Sequence, residues 1–250
     1  MRKLLFSAII LISAFALADT PQQVINRANE AYSRSEYSYA AELYEEVLAQ
    51  GLEAAELYYN LGNAYFKSNR MGKAILNYER ALRLNPSAEN IRYNLELANN
   101  RTVDSTEQRP LLFYEKWWQN TYNMQSAGGW AITGLIFLTV FFILTALYLF
   151  AGSRSHKQIT FYTGLLFFVL TCFSFVFAQK QHNRVTADDI AIIMSPRVAV
   201  KSAPSAQSPD LFLVHEGTKV TIRNQLGEWL EIHLPNGNVG WIKKETLDVI

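Results

Sequence analysis

The chain has 250 residues, half of them hydrophobic, and a formal net charge of +1. That balance excludes the basic footprint of a polyanion binder. A single cysteine excludes a disulfide framework, a lipid-modified cysteine anchor and a thiolate zinc site.

The chain opens with MRKLLFSAIILISAFALADT. Arg2 and Lys3 precede an apolar run, Leu4 to Leu17, that is short for a membrane span and ends in Ala16-Leu17-Ala18. This is the pattern of a secretory signal over residues 1–18, with cleavage expected after Ala18. An uncleaved anchor is the alternative, and either one exports the segment that follows.

Residues 19–100 read as an all-α domain. Tyr58, Leu61, Gly62, Tyr65, Ala74, Tyr78, Ala81 and Pro86 have a spacing in which small residues let two helices approach and aromatics fill between them. The segment resembles the tetratricopeptide repeat family. One repeat earlier, Ala28, Ala40 and Tyr44 stand under Gly62, Ala74 and Tyr78; one repeat later, Leu95 stands under Leu61 with no second helix after it. Two repeats and a capping helix are near the lower limit for such a stack, so support from the membrane surface or from a partner's repeats is expected. Asn26, Asn60 and Asn94 recur at the repeat length, as do Asn29 and Asn63, on the helices that line the concave groove in that family. With a donor and an acceptor on each amide, they form a candidate partner-binding ladder, to which Tyr32, Tyr59, Phe66 and Lys67 add side-chain contacts. The alternative is solvated polar positions without a ligand. No pair of groove lysines flanks the ladder, which argues against a free carboxylate terminus as the ligand.

Residues 101–128 read as a linker and an interfacial segment, in which Trp117, Trp118 and Tyr122, with Trp130 just beyond, form an aromatic belt. Residues 129–179 read as a transmembrane hairpin. Its uncharged runs, 130–150 and 159–178, are each long enough to cross about 30 Å of hydrocarbon as helices. The polar loop 151–158, with Arg154 and Lys157, is then cytoplasmic, by export of the N-terminal segment and by the positive-inside tendency. Thr133, Thr139, Thr145, Thr160, Thr163, Thr171 and Ser174 lie in these runs with Cys172. Transport or proton relay needs an ionisable group there, so the hydroxyls are expected to serve backbone carbonyls or the neighbouring helix.

Residues 186–250 read as a small all-β barrel built from DIAIIM, RVAVKSAP, TKVTIRNQ, EWLEIHL and GNVGWIKKETL, separated by turn-forming segments. Gly217, Trp229, Gly237, Gly240 and Trp241 give this part a resemblance to the bacterial SH3 domain family, which implies a cell-wall peptide or other exported ligand. Trp229 and Trp241 are either an aromatic contact surface or core residues of the barrel. The acidic loop of polyproline-binding SH3 domains is missing, so that ligand is not expected.

No catalytic fingerprint is present and the four histidines are scattered, so neither an enzyme, a metal site nor a cofactor is expected. The whole order is a multidomain membrane protein: signal, tetratricopeptide repeats, two-helix hairpin, SH3-like barrel. It resembles the BatE-like family of the aerotolerance operon of Bacteroides-type bacteria. The resemblance implies an inner-membrane location with both end domains in the periplasm. It also implies protein partners, namely membrane proteins with von Willebrand factor A domains and a MoxR-type ATPase system, with peptidoglycan a candidate ligand and no nucleic acid. The function expected is a membrane-anchored periplasmic scaffold whose repeats hold a partner protein and whose barrel holds a second partner or the cell wall; a sensor passing wall-ligand occupancy through the hairpin is the alternative.

Overall fold

The computed structural model describes residues 20–104, 112–186 and 189–250; the signal segment 1–18 lies outside them. Among the described residues, the first five helices are α1 (Pro21–Ser33), α2 (Tyr37–Ala49), α3 (Ala55–Lys67), α4 (Met71–Leu84) and α5 (Glu89–Asn99). Thr20 caps α1 through a reciprocal box with Gln23, and Pro21 starts the helix where a missing N–H costs nothing. The turns from α1 to α2 and from α3 to α4 pass through Ser35 and Asn69, both at positive φ and one repeat length apart. The same backbone bonds close both turns, Glu36 N–H to the Ala31 carbonyl and Arg70 N–H to the Tyr65 carbonyl. Two copies of one helix-turn-helix unit are therefore present, with α5 packed on α4.

Gly62 shows why the pair needs a small residue: a Cβ there would lie 2.7 Å from the Tyr78 ring. Ala28, Ala40, Ala64, Ala74 and Ala81 are fully buried around Tyr44, Tyr65 and Tyr78.

The short α6 (Phe113–Tyr122) leads to α7 (Ala127–Phe150) and α8 (Arg154–Thr186), two helices long and apolar enough to cross a membrane. Their connection is only Ala151, Gly152 and Ser153, and Arg154 to Gln158 already form the start of α8. At its other end α8 runs on through Lys180 and Arg184 to Thr186, past the expected end at 178, because nothing between 178 and 186 breaks a helix. The two helices approach where Gly134 meets Ser174 and where Phe137 faces Phe167. Hydroxyls of Thr139, Thr145, Thr160, Thr171 and Ser174 each bond a carbonyl one turn back.

The C-terminal part is one antiparallel sheet of seven strands in the order β3-β2-β6-β5-β4-β1-β7. The strands are β1 (Ile190–Ile193), β2 (Arg197–Lys201), β3 (Asp210–His215), β4 (Lys219–Leu226), β5 (Trp229–His233), β6 (Val239–Lys243) and β7 (Leu247–Val249). β3 is not among the five runs singled out above. Its Leu211-Phe212-Leu213-Val214 lacks the apolar–polar alternation of a half-buried strand. Val198, Val200, Val214, Leu230, Ile232 and Ile242 fill the interior.

The support that so short a repeat stack was expected to need comes from the chain itself. Ile192 of β1 and Ile250 belong to the buried cluster of the repeats, with Ile190 and Met194 packed against it, so the barrel rests on α4 and continues its core.

Candidate functional site

Three places gather polar and aromatic side chains: the helices that carry the asparagines, one face of the barrel, and the joint between them.

In the groove, α1, α3 and α5 present the asparagines, but not all for the same purpose. Tyr44 of α2 donates its hydroxyl to Asn29 Oδ1 at 2.6 Å, and Tyr78 of α4 donates to Asn63 Oδ1 at 2.8 Å. Asn94 Nδ2 then donates to Asn63 Oδ1 at 2.9 Å and to the Tyr59 hydroxyl at 3.1 Å. A buried tyrosine hydroxyl requires a partner, and these amides supply it. Burial, with the nearby Tyr32, pushes the Tyr44 hydroxyl up to about 12, which keeps it a neutral donor. Asn29, Asn63 and Asn94 thus tie helices together, a duty their spacing in the sequence does not reveal. Asn26 is exposed and accepts from neighbouring Gln22 on its own helix, at 3.2 Å, while Asn60 is half-buried on α3.

Tyr32 stands edge-on to Tyr37 at 5.2 Å, Phe66 lies 4.3 Å beneath the Arg101 guanidinium, and Lys67 is exposed. Beside Asn94, Tyr93 and Leu97 of α5 are exposed apolar side chains that the asparagine spacing did not flag.

On the barrel, the register pairs Trp229 with Lys243, Glu231 with Trp241 and His233 with Val239. Directly opposed residues share a side of the sheet, so Trp229 and Trp241 are diagonal neighbours on the face opposite Leu230, Ile232 and Ile242. Both are half-buried and neither belongs to the barrel's buried core. Lys201 pairs with Trp241 across β2 and β6 and forms an ion pair with Asp210 at 2.6 Å.

The joint was not visible in the sequence. Asp104, just beyond α5, accepts from the His215 amide at 2.7 Å and the Thr218 hydroxyl at 2.8 Å, while its other oxygen meets His215 Nδ1 at 2.8 Å. Partial burial opposes ionisation of Asp104, but these bonds outweigh it and hold the carboxyl below its ordinary value. Glu216 accepts from the Gly72 amide at 2.9 Å, Lys219 pairs with Glu79 at 2.7 Å, and Arg80 donates to the Val249 carbonyl at 2.8 Å. Arg83 donates to the Val185 carbonyl, joining α4 to the end of α8. At Gly217, φ is +88° and a Cβ would meet Thr102 at 2.6 Å and Ile75 at 2.9 Å. Glycine is required there for both conformation and space.

An aspartate, a histidine and a hydroxyl meet in this joint, yet Thr218 bonds the carboxylate and not the imidazole. The contact between base and nucleophile that acyl-transfer chemistry needs is missing. Among the described residues, no group of three His, Cys, Asp or Glu side chains is placed to hold a metal ion.

Comparison with known proteins agrees with the two folds. No curated relative matches the chain. Residues 55–88 match the tetratricopeptide repeat family, residues 196–248 match the bacterial SH3 domain family, and both are ordinarily binding modules rather than catalysts.

Proposed function

We propose that this chain is a membrane-anchored scaffold that holds a partner protein in the repeat groove and a second partner, or the cell wall, on the barrel. The observation that carries this reading is the docking of the barrel on α4. It joins two recognition modules into one body, and among the described residues Asn26, Tyr93 and Leu97 on α1 and α5 stay exposed. The hairpin α7–α8 is the anchor, and Thr186 delivers the chain to the barrel within a few residues of the helix end.

The scaffold works on the periplasmic side of the inner membrane, with residues 1–18 as its export signal, and the polar residues around Arg154 face the cytoplasm. By its order of domains it is a BatE-like component of an aerotolerance or envelope-stress complex. On that reading its partners are von Willebrand factor A domain membrane proteins and a MoxR-type ATPase system. Tags after Ala18 and after Ile250, followed by protease in intact spheroplasts, test the topology. Loss of both tags supports it, and protection of both overturns it. A photo-crosslinker at Asn60 then tests the groove: a discrete adduct from cells supports partner binding, and its absence with the topology intact overturns it.

One observation favours a sensor as the second reading: α8 is continuous from Arg154 to the Arg83 contact at Val185. Replacing Arg154, His156 and Lys157 without disturbing insertion abolishes the output of a sensor and leaves a scaffold working.

A further inference from the structure

Helix α6 (Phe113–Tyr122) has 10 residues, FYEKWWQNTY. At about 100° per residue, Phe113, Trp117, Tyr114, Trp118 and Tyr122 cover one half of its circumference together with Thr121, whose hydroxyl donates to the Trp117 carbonyl, and Glu115, Gln119, Lys116 and Asn120 the other. The aromatic half is divided again by what it touches. Trp118 packs edge-on against Phe177 of α8 at 5.1 Å, and Trp130 of α7 meets the same ring at 4.9 Å. Lys180 lies 4.4 Å over the Tyr122 ring. Gln181, although buried, donates to the Tyr122 carbonyl at 2.8 Å and to Asn123 Oδ1 at 3.0 Å, and Arg184 donates to that same oxygen at 3.0 Å. The Trp130 indole also donates to the Tyr122 carbonyl, at 2.9 Å.

On the other side of the aromatic half the ring contacts among the described residues stay within α6 itself: Phe113 stands edge-on to Tyr114 at 5.7 Å and Trp117 is tilted against Trp118 at 6.4 Å. Phe113 is 86% exposed, Trp117 64% and Tyr114 53%. Three large rings open to water on a helix held this firmly require a cover.

We infer that the cover is lipid: α6 is an interfacial foot whose Phe113–Tyr114–Trp117 face enters the headgroup and acyl boundary, with Lys116 turned to water. The inference rests on the membrane-anchored reading and extends it. Continuity selects the occupant. The packed side of α6 lies on Trp130 and Phe177, at the ends of the two apolar helices, so whatever surrounds those helices at that level also reaches the open side. Tyrosine and tryptophan are the residues that settle at that depth. The latch of Gln181 and Arg184 fixes α6 against α8, so the foot sets how the repeats and the barrel stand relative to the bilayer.

The test uses the full chain in phosphatidylcholine nanodiscs, with Cys172→Ser and a nitroxide at one of three exposed positions: Phe113→Cys, Lys116→Cys or Leu135→Cys. Collision with oxygen reports lipid, and collision with a nickel chelate reports water. The expected result is lipid at 135, and an oxygen-to-nickel ratio at 113 several-fold above that at 116. Lipid at 135 with water at both 113 and 116 overturns the foot and leaves the anchor standing. Lipid at 113 and 116 alike overturns the assigned orientation. Water at 135 overturns the anchor, and the foot with it.

Discussion

Asp104 and His215, 111 positions apart in the chain, are joined twice, through the imidazole at 2.8 Å and the backbone amide at 2.7 Å. The carboxyl is held below the 3.8 of a free aspartate, so its contribution to stability is complete above that value. It is lost as pH falls through the lower, folded one. Asp104→Asn is expected to cost about 1.5–3 kcal/mol near neutrality, the range for hydrogen bonds to a charged group. In urea titrations from pH 7 down to pH 3, the gap between the two proteins should narrow once the pH falls below 3.8. A constant gap would show that ionisation of Asp104 is not the source.

Repeats and barrel share a core through Ile192 and Ile250, so they are expected to unfold in one transition. Ile192→Ala removes buried volume at the junction and should cost about 2–5 kcal/mol. Gly217→Ala, which combines a positive φ with a Cβ against Thr102 and Ile75, should cost about 1–3 kcal/mol. Circular dichroism at helical and near-ultraviolet wavelengths checks both. Separate transitions already present in the parent protein would show that the two parts are thermodynamically independent.

The asparagines are expected to separate into two classes. Asn63→Ala strips the acceptor from the Tyr78 hydroxyl and from Asn94, so it lowers stability by about 1–3 kcal/mol as well as any partner binding. Asn26→Ala and Asn60→Ala leave the unfolding midpoint within about 0.5 kcal/mol of the parent and weaken partner capture alone. Pairing denaturation with pull-down measures both effects. A stability loss at Asn60 equal to that at Asn63 would make the whole ladder structural.

For the barrel, Trp229→Ala and Trp241→Ala test the outer face. If that face binds, each should weaken retention on purified sacculi or on the second partner by about 2 kcal/mol, the scale of an aromatic hot spot. The interior rests on Ile232 and Ile242, so the fold should persist. Unchanged retention in both variants would place the ligand elsewhere.

The repeat pairs, the two apolar helices and most strands were legible because each depends on a short-range period. Gly62 with Ala74, the uncharged runs, and the alternation of Trp229 to Leu234 all fall within one or two elements. What could not be read were contacts between elements far apart in the chain. Nothing near Asp104 marks it as the partner of His215, and nothing near Glu79 points to Lys219. The asparagine spacing was visible, but the spacing of the tyrosines that use Asn29 and Asn63 was read only as packing. A tyrosine fills space and donates a proton with the same side chain, and only coordinates separate the two uses. Phe113 and Tyr114 were passed over for a different reason. The belt shows as tryptophans next to an uncharged run, and these two rings are cut off from them in the sequence by Glu115 and Lys116.

The seating of the barrel on α4 also gives the repeat array a direction in which it can change length. A further helix pair inserted after Leu84 would carry Thr102 and Asp104 away from Gly217 and His215 and dismantle the joint. A pair added ahead of Thr20 leaves every contact of that joint in place. Chains of this architecture should therefore differ in repeat number at the end remote from the barrel, lengthening the repeat stack outward while the end seated on the barrel stays constant.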